Sequence, residues 1–535
     1  MKLGYVLVAA FSLAGCPKPE PPSQASTTTK SVAPAVAAPN GAVITPNAIP
    51  FTLTFTEQTY SSPLPGVHSY TSAMVSPTQL LLLGGRYQPS GLHQFALNNN
   101  NFPNPNTQMM VINPATGSIT SFSVLTLGWP LAGALSAANQ ASFYDRPSGY
   151  LYVVGGYGPM TSDDNPSNYG TFGSMIRFNA AQVVNAILSN STDQKRAAAI
   201  APLIQQFNDQ RLAVTGADLF LQNGQFFLVF GQTATGMYEP FGNGHFTQTY
   251  TCNVAQFTIN PQNFSSGILA YGASSPNNDY HRRDGNVLLT RDPSTGATTI
   301  GAYGGVFPPG IIGAYSRPVF ITSGPQLQEP TTQLKFGAYD CPVISAYSQK
   351  GQTTYETFFG GIGHYFFFQS PSQAAAYQKV AQEGRNDGMP FVADISTFVQ
   401  PATGSTQEWI WPAPVPAIGF PPPDNQPFPS DLRGAGATFI PIPSASVLGA
   451  DGVVQLDQLP STPVQIGWIY GGIEAQNPLP LVPNTGTQAC AAMYSVSISA
   501  TPSGAYDAKY AIEAKGTATT PGRREAANKK AGGGK

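Results

Sequence analysis

Six short runs of apolar and aromatic residues close on a pair of glycines or its near equivalent. They are LLLLGG at 80–85, LYVVGG at 151–156, FFLVFG at 226–231, TIGAYGG at 299–305, YETFFGG at 355–361 and GWIYGG at 467–472. A run of this length bounded by glycines reads as a buried strand. The glycines mark a bend, or a close approach by another backbone that a Cβ would block. Recurrence through most of the chain is the signature of a repeat architecture. A second strand-like segment precedes each run, at 69–75, 141–145, 215–221, 281–290, 341–347 and 434–441. The first unit shows a full set of four: SYTSAMV at 69–75, LLLLGG, TQMMVIN at 107–113 and SITSFSV at 118–124. Its last two strands are joined by Pro114-Ala115-Thr116-Gly117, which is turn chemistry between two period-two runs. The pattern therefore predicts four-stranded units. A strand at 51–56 is expected to complete the last unit beside 467–472 and 492–499, which removes exposed sheet edges.

Helical spacing interrupts this pattern in two places. Between 180 and about 212, Val183, Val184, Ile187 and Leu188 fall on one face and Ile200, Leu203, Ile204 and Phe207 on another. Two helices inserted in the second unit and packed on its rim are predicted there, with Pro202 near a helix start. SQAAAYQKVAQE at 372–383 predicts a third, shorter helix.

The paired glycines Gly84 and Gly85, Gly155 and Gly156, Gly304 and Gly305, Gly360 and Gly361, and Gly471 and Gly472, each after an apolar run, resemble the repeat of Kelch β-propellers. The likeness spans about 51–500. FTQTYT at 246–251, YHRRDGN at 280–286 and PFVADISTF at 390–398 are also similar to bacterial kelch-type proteins of unassigned function. The resemblance implies an all-β fold, a six-bladed Kelch-like propeller with helical insertions on its rim. The glycine pairs lie 56 to 111 residues apart, against roughly 50 for the Kelch unit, so the units carry long insertions.

The chain begins with Lys2, an apolar stretch at 3–13 and Leu13-Ala14-Gly15-Cys16. A positive start, an apolar stretch too short to span a bilayer and a lipobox read as a lipoprotein signal peptide over 1–15. Cleavage before Cys16 leaves that cysteine as the site for diacylglycerol and palmitate, several acyl chains that together anchor stably. Residues 16–50, dense in Pro, Ser, Thr and Ala, read as an extended tether. Pro17, in place of aspartate, matches the pattern that directs enterobacterial lipoproteins to the outer membrane. The basic, low-complexity stretch at 501–535 reads as a solvated tail.

Only 10% of the 535 residues are charged, and 25 basic against 27 acidic residues give a net charge of −2. Without a basic face the chain is not expected to bind nucleic acid. A near-neutral surface suits a glycan or protein partner, and a monomer is expected. Three cysteines follow Cys16, namely Cys252, Cys341 and Cys490; they fall in different units and are expected chiefly as buried thiols.

In so lightly charged a chain, His281-Arg282-Arg283-Asp284 stands out. On a strand His281 and Arg283 would share one face, where arginine can clamp a carboxylate and histidine can move protons. The competing expectation, and the stronger one, is that Arg283 and Asp284 tie neighbouring units together. His68, Tyr70, Asp145, Asp218, Tyr339 and Asp340 lie near the starts of other first strands, and together they would form an inward ring. Asp163-Asp164-Asn165 resembles part of a calcium loop but lacks its closing acid. No zinc spacing, nucleophile elbow or P-loop is present, and the copper set of Kelch-like galactose oxidases is not matched, so no cofactor or metal is predicted. The leading expectation is a non-catalytic binding or scaffold lipoprotein. The alternative is an envelope enzyme on carbohydrates, a kelch-type oxidase or epimerase, with Tyr70, His281, Arg283, Asp284 and Tyr339 at a channel mouth.

Overall fold

The computed structural model describes residues 49–87, 104–163, 165–237, 246–310, 313–321, 325–326, 333–370, 373–379, 389–411, 432–475, 487–501 and 511–512. The proposed signal peptide, Cys16, nearly all of the tether and most of the tail lie outside the described residues. The fold is all-β, built of many small antiparallel sheets.

Six of these sheets follow one another along the chain, each opening with a first strand and its partner. Sheet one comprises Thr71–Ser76, Gln79–Leu83, Gln108–Ile112 and Ile119–Ser123. Sheet two comprises Ala141–Asp145, Tyr150–Val154, Ser174–Asn179 and Gln205–Asn208. Sheet three comprises Asp218–Gln222, Gln225–Val229, Val254–Ile259 and Ile268–Ala273. Sheet four comprises Asn286–Arg291, Thr298–Tyr303, Val319–Ile321 and Pro325–Gln326. Sheet five is built on Val343–Ser348, Thr353–Ile362, Phe391–Pro401 and Gln407–Ile410, with Val454–Gln455 added in parallel to its first strand and Ala511–Ile512 to its fourth. Sheet six comprises Thr438–Pro441, Val464–Tyr470, Met493–Ala500 and the N-terminal strand Phe51–Glu57, which pairs from Phe51 with Ala500 to Glu57 with Tyr494.

The apolar residues of these runs pack between consecutive sheets. Leu81 and Leu83 of sheet one share a buried cluster with Leu151 and Val153 of sheet two, and Val154 of sheet two shares one with Leu228 of sheet three. Val229 then meets Ile300 of sheet four, whose Tyr303 meets Phe358 of sheet five. Sheets five, six and one share a larger cluster around Phe51, Phe359, Tyr470 and Leu82.

The glycine pairs sit where one sheet touches the next. The second residue of the pair donates its N–H to the segment leading into the following sheet: Gly85 to Ala137, Gly156 to Val214, Gly231 to Arg282, Gly305 to Ala338 and, from sheet six to sheet one, Gly472 to Val67, at 2.8–3.0 Å. Both glycines take left-handed φ values, and a Cβ on Gly155 would lie 2.0 Å from the Val214 carbonyl oxygen. Where the motif reads Phe230-Gly231, Phe230 takes φ 62° in place of a glycine, held by stacking on Tyr280.

Several expectations are corrected. Residues 373–379 form a strand, Gln373–Lys379, paired with Tyr365–Ser370, so the predicted helix at 372–383 is absent over its described part. The aromatic run at 365–368 favours strand, and Pro371-Ser372 is turn chemistry, which overrides modest helical spacing. The insertion in sheet two does contain two helices, Ala180–Ser189 and Asp193–Ile200, capped by the Asn179 and Thr192 side chains. Val183, Val184 and Ile187 are buried against sheets one and two, whereas Leu188 is exposed. The helical insertion breaks at Leu203; Phe207 belongs to the edge strand Gln205–Asn208, and a single 3-10 turn follows at Gln210–Leu212. The segment 434–441 is split at Gly436 between a three-stranded side sheet (Leu432–Ala435, Ile473–Ala475, Thr487–Ala489) and sheet six. A further four-stranded side sheet joins Tyr157–Pro159 and Tyr169–Thr171 of unit two to Gln232–Thr235 and Thr247–Tyr250 of unit three.

Candidate functional site

The first strands of all six sheets line one cavity of about 890 Å³. Its floor is formed where the chain enters these strands. There the backbone links sheet to sheet: the Asn139 N–H donates to the Ser69 carbonyl, Gly216 to Asn139, Asp284 to Gly216, Asp340 to Asp284 and Gly436 to Asp340, at 2.7–3.1 Å. Ser69, Asn139, Gly216, Asp284 and Gly436 all adopt left-handed φ. Short polar residues and glycine tolerate that conformation best, which places small hydrogen-bonding side chains around the floor. The opposite end, at the far ends of the first strands, is bordered by Arg146, Asn223, Thr298 and Asp451. Phe143, Tyr144, Phe220 and Phe439 line the walls between.

Of the five aspartates that line this space, Asp145, Asp218, Asp284, Asp340 and Asp451, three lie at the floor: Asp218, Asp284 and Asp340. Burial raises all three above the usual carboxylate range, and their mutual repulsion adds to the shift of Asp218 and Asp340. Asp340 is pushed up to about 8, by burial first and the neighbouring Asp284 second, and Asp218 is raised well above its ordinary value. The Asp284 shift is opposed by Arg283, whose Nη1 lies 3.2 Å from Asp284 Oδ2; the other carboxylate oxygen accepts from Asn139 Nδ2 at 3.2 Å. Near neutral pH Asp340 is therefore held chiefly as a carboxylic acid, able to donate as well as accept a hydrogen bond.

The conspicuous tetrad is divided by the fold. The first strand of sheet four begins at Asn286, so 281–284 is not strand and its residues do not alternate between two faces. His281 is buried, its Nδ1 2.8 Å from the Phe307 carbonyl oxygen and its ring stacked on Tyr250 at 3.7 Å. Arg282 is fully buried, donates to the Asp279 and Gly304 carbonyls at 2.5 and 2.9 Å and covers the Tyr315 ring; burial lowers its pKa to about 10. Arg283 pairs with Asp284 and lies over Phe307. Of the four, Asp284 lines the cavity.

The other nominated residues also separate. Tyr70 and Asp145 border the cavity; Tyr70 donates to the Tyr470 carbonyl at 2.8 Å, and Asp145 accepts from Ser148. His68 and Tyr339 are buried outside the lining, His68 with Nδ1 2.9 Å from Ser69 Oγ. Asp163 accepts from Asn168 and Thr161 within its own exposed loop, and Asp164 lies outside the described residues. No group of three or more His, Cys, Asp or Glu among the described residues is arranged to hold a metal ion. Cys341 and Cys490 are free and buried, whereas Cys252 is disulfide-bonded, contrary to the expectation of a free thiol.

Sequence reasoning passed over Asn286 and Arg146. Asn286 donates to the Gly337 and Tyr339 carbonyls and accepts from the Cys341 N–H, fixing the lead-in to sheet five beside the carboxyls. Arg146 sits in the turn after the first strand of sheet two, a place where a lone arginine ordinarily reads as solvated surface.

No family model and no curated protein matches the chain. Among solved structures it is similar to the structure of YjhT, at 12% identity and a TM-score of 0.40, over 80% of this chain and 95% of that one. A likeness at that level carries no argument about fold or function.

Proposed function

We propose that the chain is a lipid-anchored, six-bladed β-propeller of the bacterial envelope whose central cavity binds a neutral, polyhydroxylated ligand of the glycan class. Support for the propeller comes from the hydrogen bonds that lead from each of the six sheets to the next and from sheet six back to sheet one, around a cavity lined by all six first strands. Support for the anchor is the lipobox at 13–16 followed by the Pro- and Ser-rich tether; the observation that counts against it is the disulfide at Cys252 in a chain of four cysteines of which Cys341 and Cys490 are free.

The observation that carries the binding reading is the state of the ionisable groups. Of the acid–base set nominated from sequence, His281 and Arg283 are engaged in internal contacts, whereas Asp284 lines the cavity. The three carboxyls at the floor of the cavity, Asp218, Asp284 and Asp340, are raised toward their neutral form. A neutral carboxylic acid offers a hydroxyl-bearing ligand one donor and further acceptors without a charge to desolvate, and aromatic walls match the apolar faces of a sugar ring. A carbohydrate-active enzyme would have to draw on Asp218, Asp284 and Asp340.

The test is a screen of the detergent-extracted, full-length protein against neutral and charged glycans, with Asp340→Asn and Arg283→Ala beside it. Binding of neutral glycans, weakened at least tenfold by Asp340→Asn and retained by the folded fraction of Arg283→Ala, is expected. Turnover of a glycan would move the protein to the enzyme class, and absence of neutral-glycan binding would remove the proposal. Cys16→Ser is expected to abolish both palmitate labelling and membrane retention; a mature chain whose Cys16 is held in a disulfide would overturn the anchor.

A further inference from the structure

Residues 442–459 leave sheet six between its first and second strands and cross toward its neighbours. The root of this segment is held by apolar burial: Ile442, Val447, Val453, Val454 and Leu456 are all buried. Val454 and Gln455 pair in parallel with Ala346 and Tyr347, the far end of the first strand of sheet five. Asp457 fixes the returning limb by accepting from Ser348 Oγ and the Lys350 N–H, both at 2.9 Å.

The tip is held differently. Residues 449–453 make a tight turn, closed by the Gly449 N–H donating to the Val453 carbonyl and Gly452 to Gly449, each at 2.9 Å. Before Val453 the tip consists of Gly449, Ala450, Asp451 and Gly452, so no large apolar side chain anchors it. Ala450, Asp451 and Gly452 nevertheless line the cavity, at the end opposite the carboxyl floor. What fastens them is Asp451, whose Oδ2 lies 2.6 Å from Arg291 Nη2 and accepts from Thr298 Oγ1 at 3.1 Å, both in sheet four. Arg291 is kept in place by a second bond, to the Gly296 carbonyl at 3.0 Å. A segment of sheet six thus reaches past sheet five and is latched on sheet four.

We infer that the tip at 449–452 is a gate on the mouth of the cavity, and that the Asp451–Arg291 ion pair with Thr298 is its latch. This inference rests on the cavity being the binding site. A segment with an apolar root and a polar, part-exposed tip opens at the tip first, since local opening costs least where few apolar contacts are broken. The latch side chains retain 11% and 23% exposure, so salt reaches the pair and weakens it.

The test needs no ligand. Ser142→Cys places a thiol on the cavity wall, and Ser189→Cys places one on an exposed helix end as a control. The rate of labelling by a small maleimide at residue 142 or 189, read by peptide mass so that the native thiols Cys341 and Cys490 are counted apart, is measured for each in the full-length chain, alone and with Asp451→Ala. A gate predicts that the wall thiol reacts slowly, that Asp451→Ala accelerates it about tenfold, and that raising salt from 0.05 to 0.5 M accelerates the form with the native latch but not the Asp451→Ala form. The control thiol stays unchanged throughout. A wall thiol that labels as fast as the control, or one indifferent to both salt and Asp451→Ala, overturns the gate. Should Asp451→Ala fail to fold, the salt response with the native latch decides alone. Because labelling is independent of glycan, failure here leaves the binding reading standing, and failure of the glycan screen leaves the gate standing.

Discussion

Glu408 and Asp340 both belong to the neighbourhood of sheet five, and both carboxyl groups are carried by burial well above their usual range, yet their surroundings differ. Glu408 accepts from the backbone N–H groups of Lys335 and Phe336 at 2.7 and 3.2 Å. Glu356, in the same sheet, accepts from Thr290 of sheet four. Asp340 faces the cavity with Asp218 and Asp284, and its nearest electrostatic influence is another carboxyl group. The donors hold Glu356 and Glu408 at about 7, opposing burial, while Asp340, from a lower starting value, reaches about 8. Comparable burial therefore serves two ends. In the walls a carboxylate satisfies backbone and hydroxyl donors and fixes packing; at the floor, carboxyl groups are left with hydrogen-bonding capacity directed into open space.

The largest expected effect is on the wall. Glu408→Ala removes the acceptor of two buried N–H groups and should lower stability by roughly 4 kcal/mol, counting roughly 1–3 kcal/mol for each stranded group. Denaturant unfolding measures it, and a loss under about 1 kcal/mol would erase the distinction between wall and floor.

A smaller effect comes from pH. Glu356 and Glu408 titrate near 7 in the fold but near their ordinary value of 4.5 when unfolded. Between those values the folded protein holds protons that the unfolded chain releases, so these two groups lower stability as pH rises from about 4.5 to 7, and Asp340, raised to about 8, carries the fall on to about pH 8. The slope has a ceiling of about 1.4 kcal/mol per pH unit for each group. Melting temperatures should fall from pH 5 to 8; a rise across that range would contradict the assignment. Glu408→Gln should remove its share of the slope.

The smallest effect on stability is expected at the floor. Asp340→Asn removes a group whose folded form must keep its proton up to about pH 8. At pH 7 the variant should therefore be as stable as the native protein or more stable. Paired with the large loss of glycan binding expected for the same variant, this outcome sharpens the comparison. A destabilisation like that of Glu408→Ala would make Asp340 a wall residue.

Much of this arrangement is legible without a structure. The apolar runs, the glycine pairs and the turn at 114–117 mark second strands, close backbone contacts and a hairpin, because periodicity and the steric freedom of glycine are properties of the local chain. Asp218, Asp284 and Asp340 are also visible as polar residues at the starts of first strands. What the sequence does not contain is the direction in which each of them points. His281, Arg282 and Arg283 precede the strand rather than lie in it, and the left-handed turn at Asp284 sends them into contact with Phe307, Tyr315 and Tyr250, residues distant from them or contributed by another sheet. The helix expected at 372–383 gives way to a strand for the same reason, since pairing with 365–370 outweighs a weak local preference. Local sequence determined where strands run and where backbones must touch. Which acids are satisfied in a wall, which face the cavity, and that a segment of sheet six reaches the latch on sheet four were decided by tertiary packing, because hydrogen-bond partners and burial come from residues far apart in the chain.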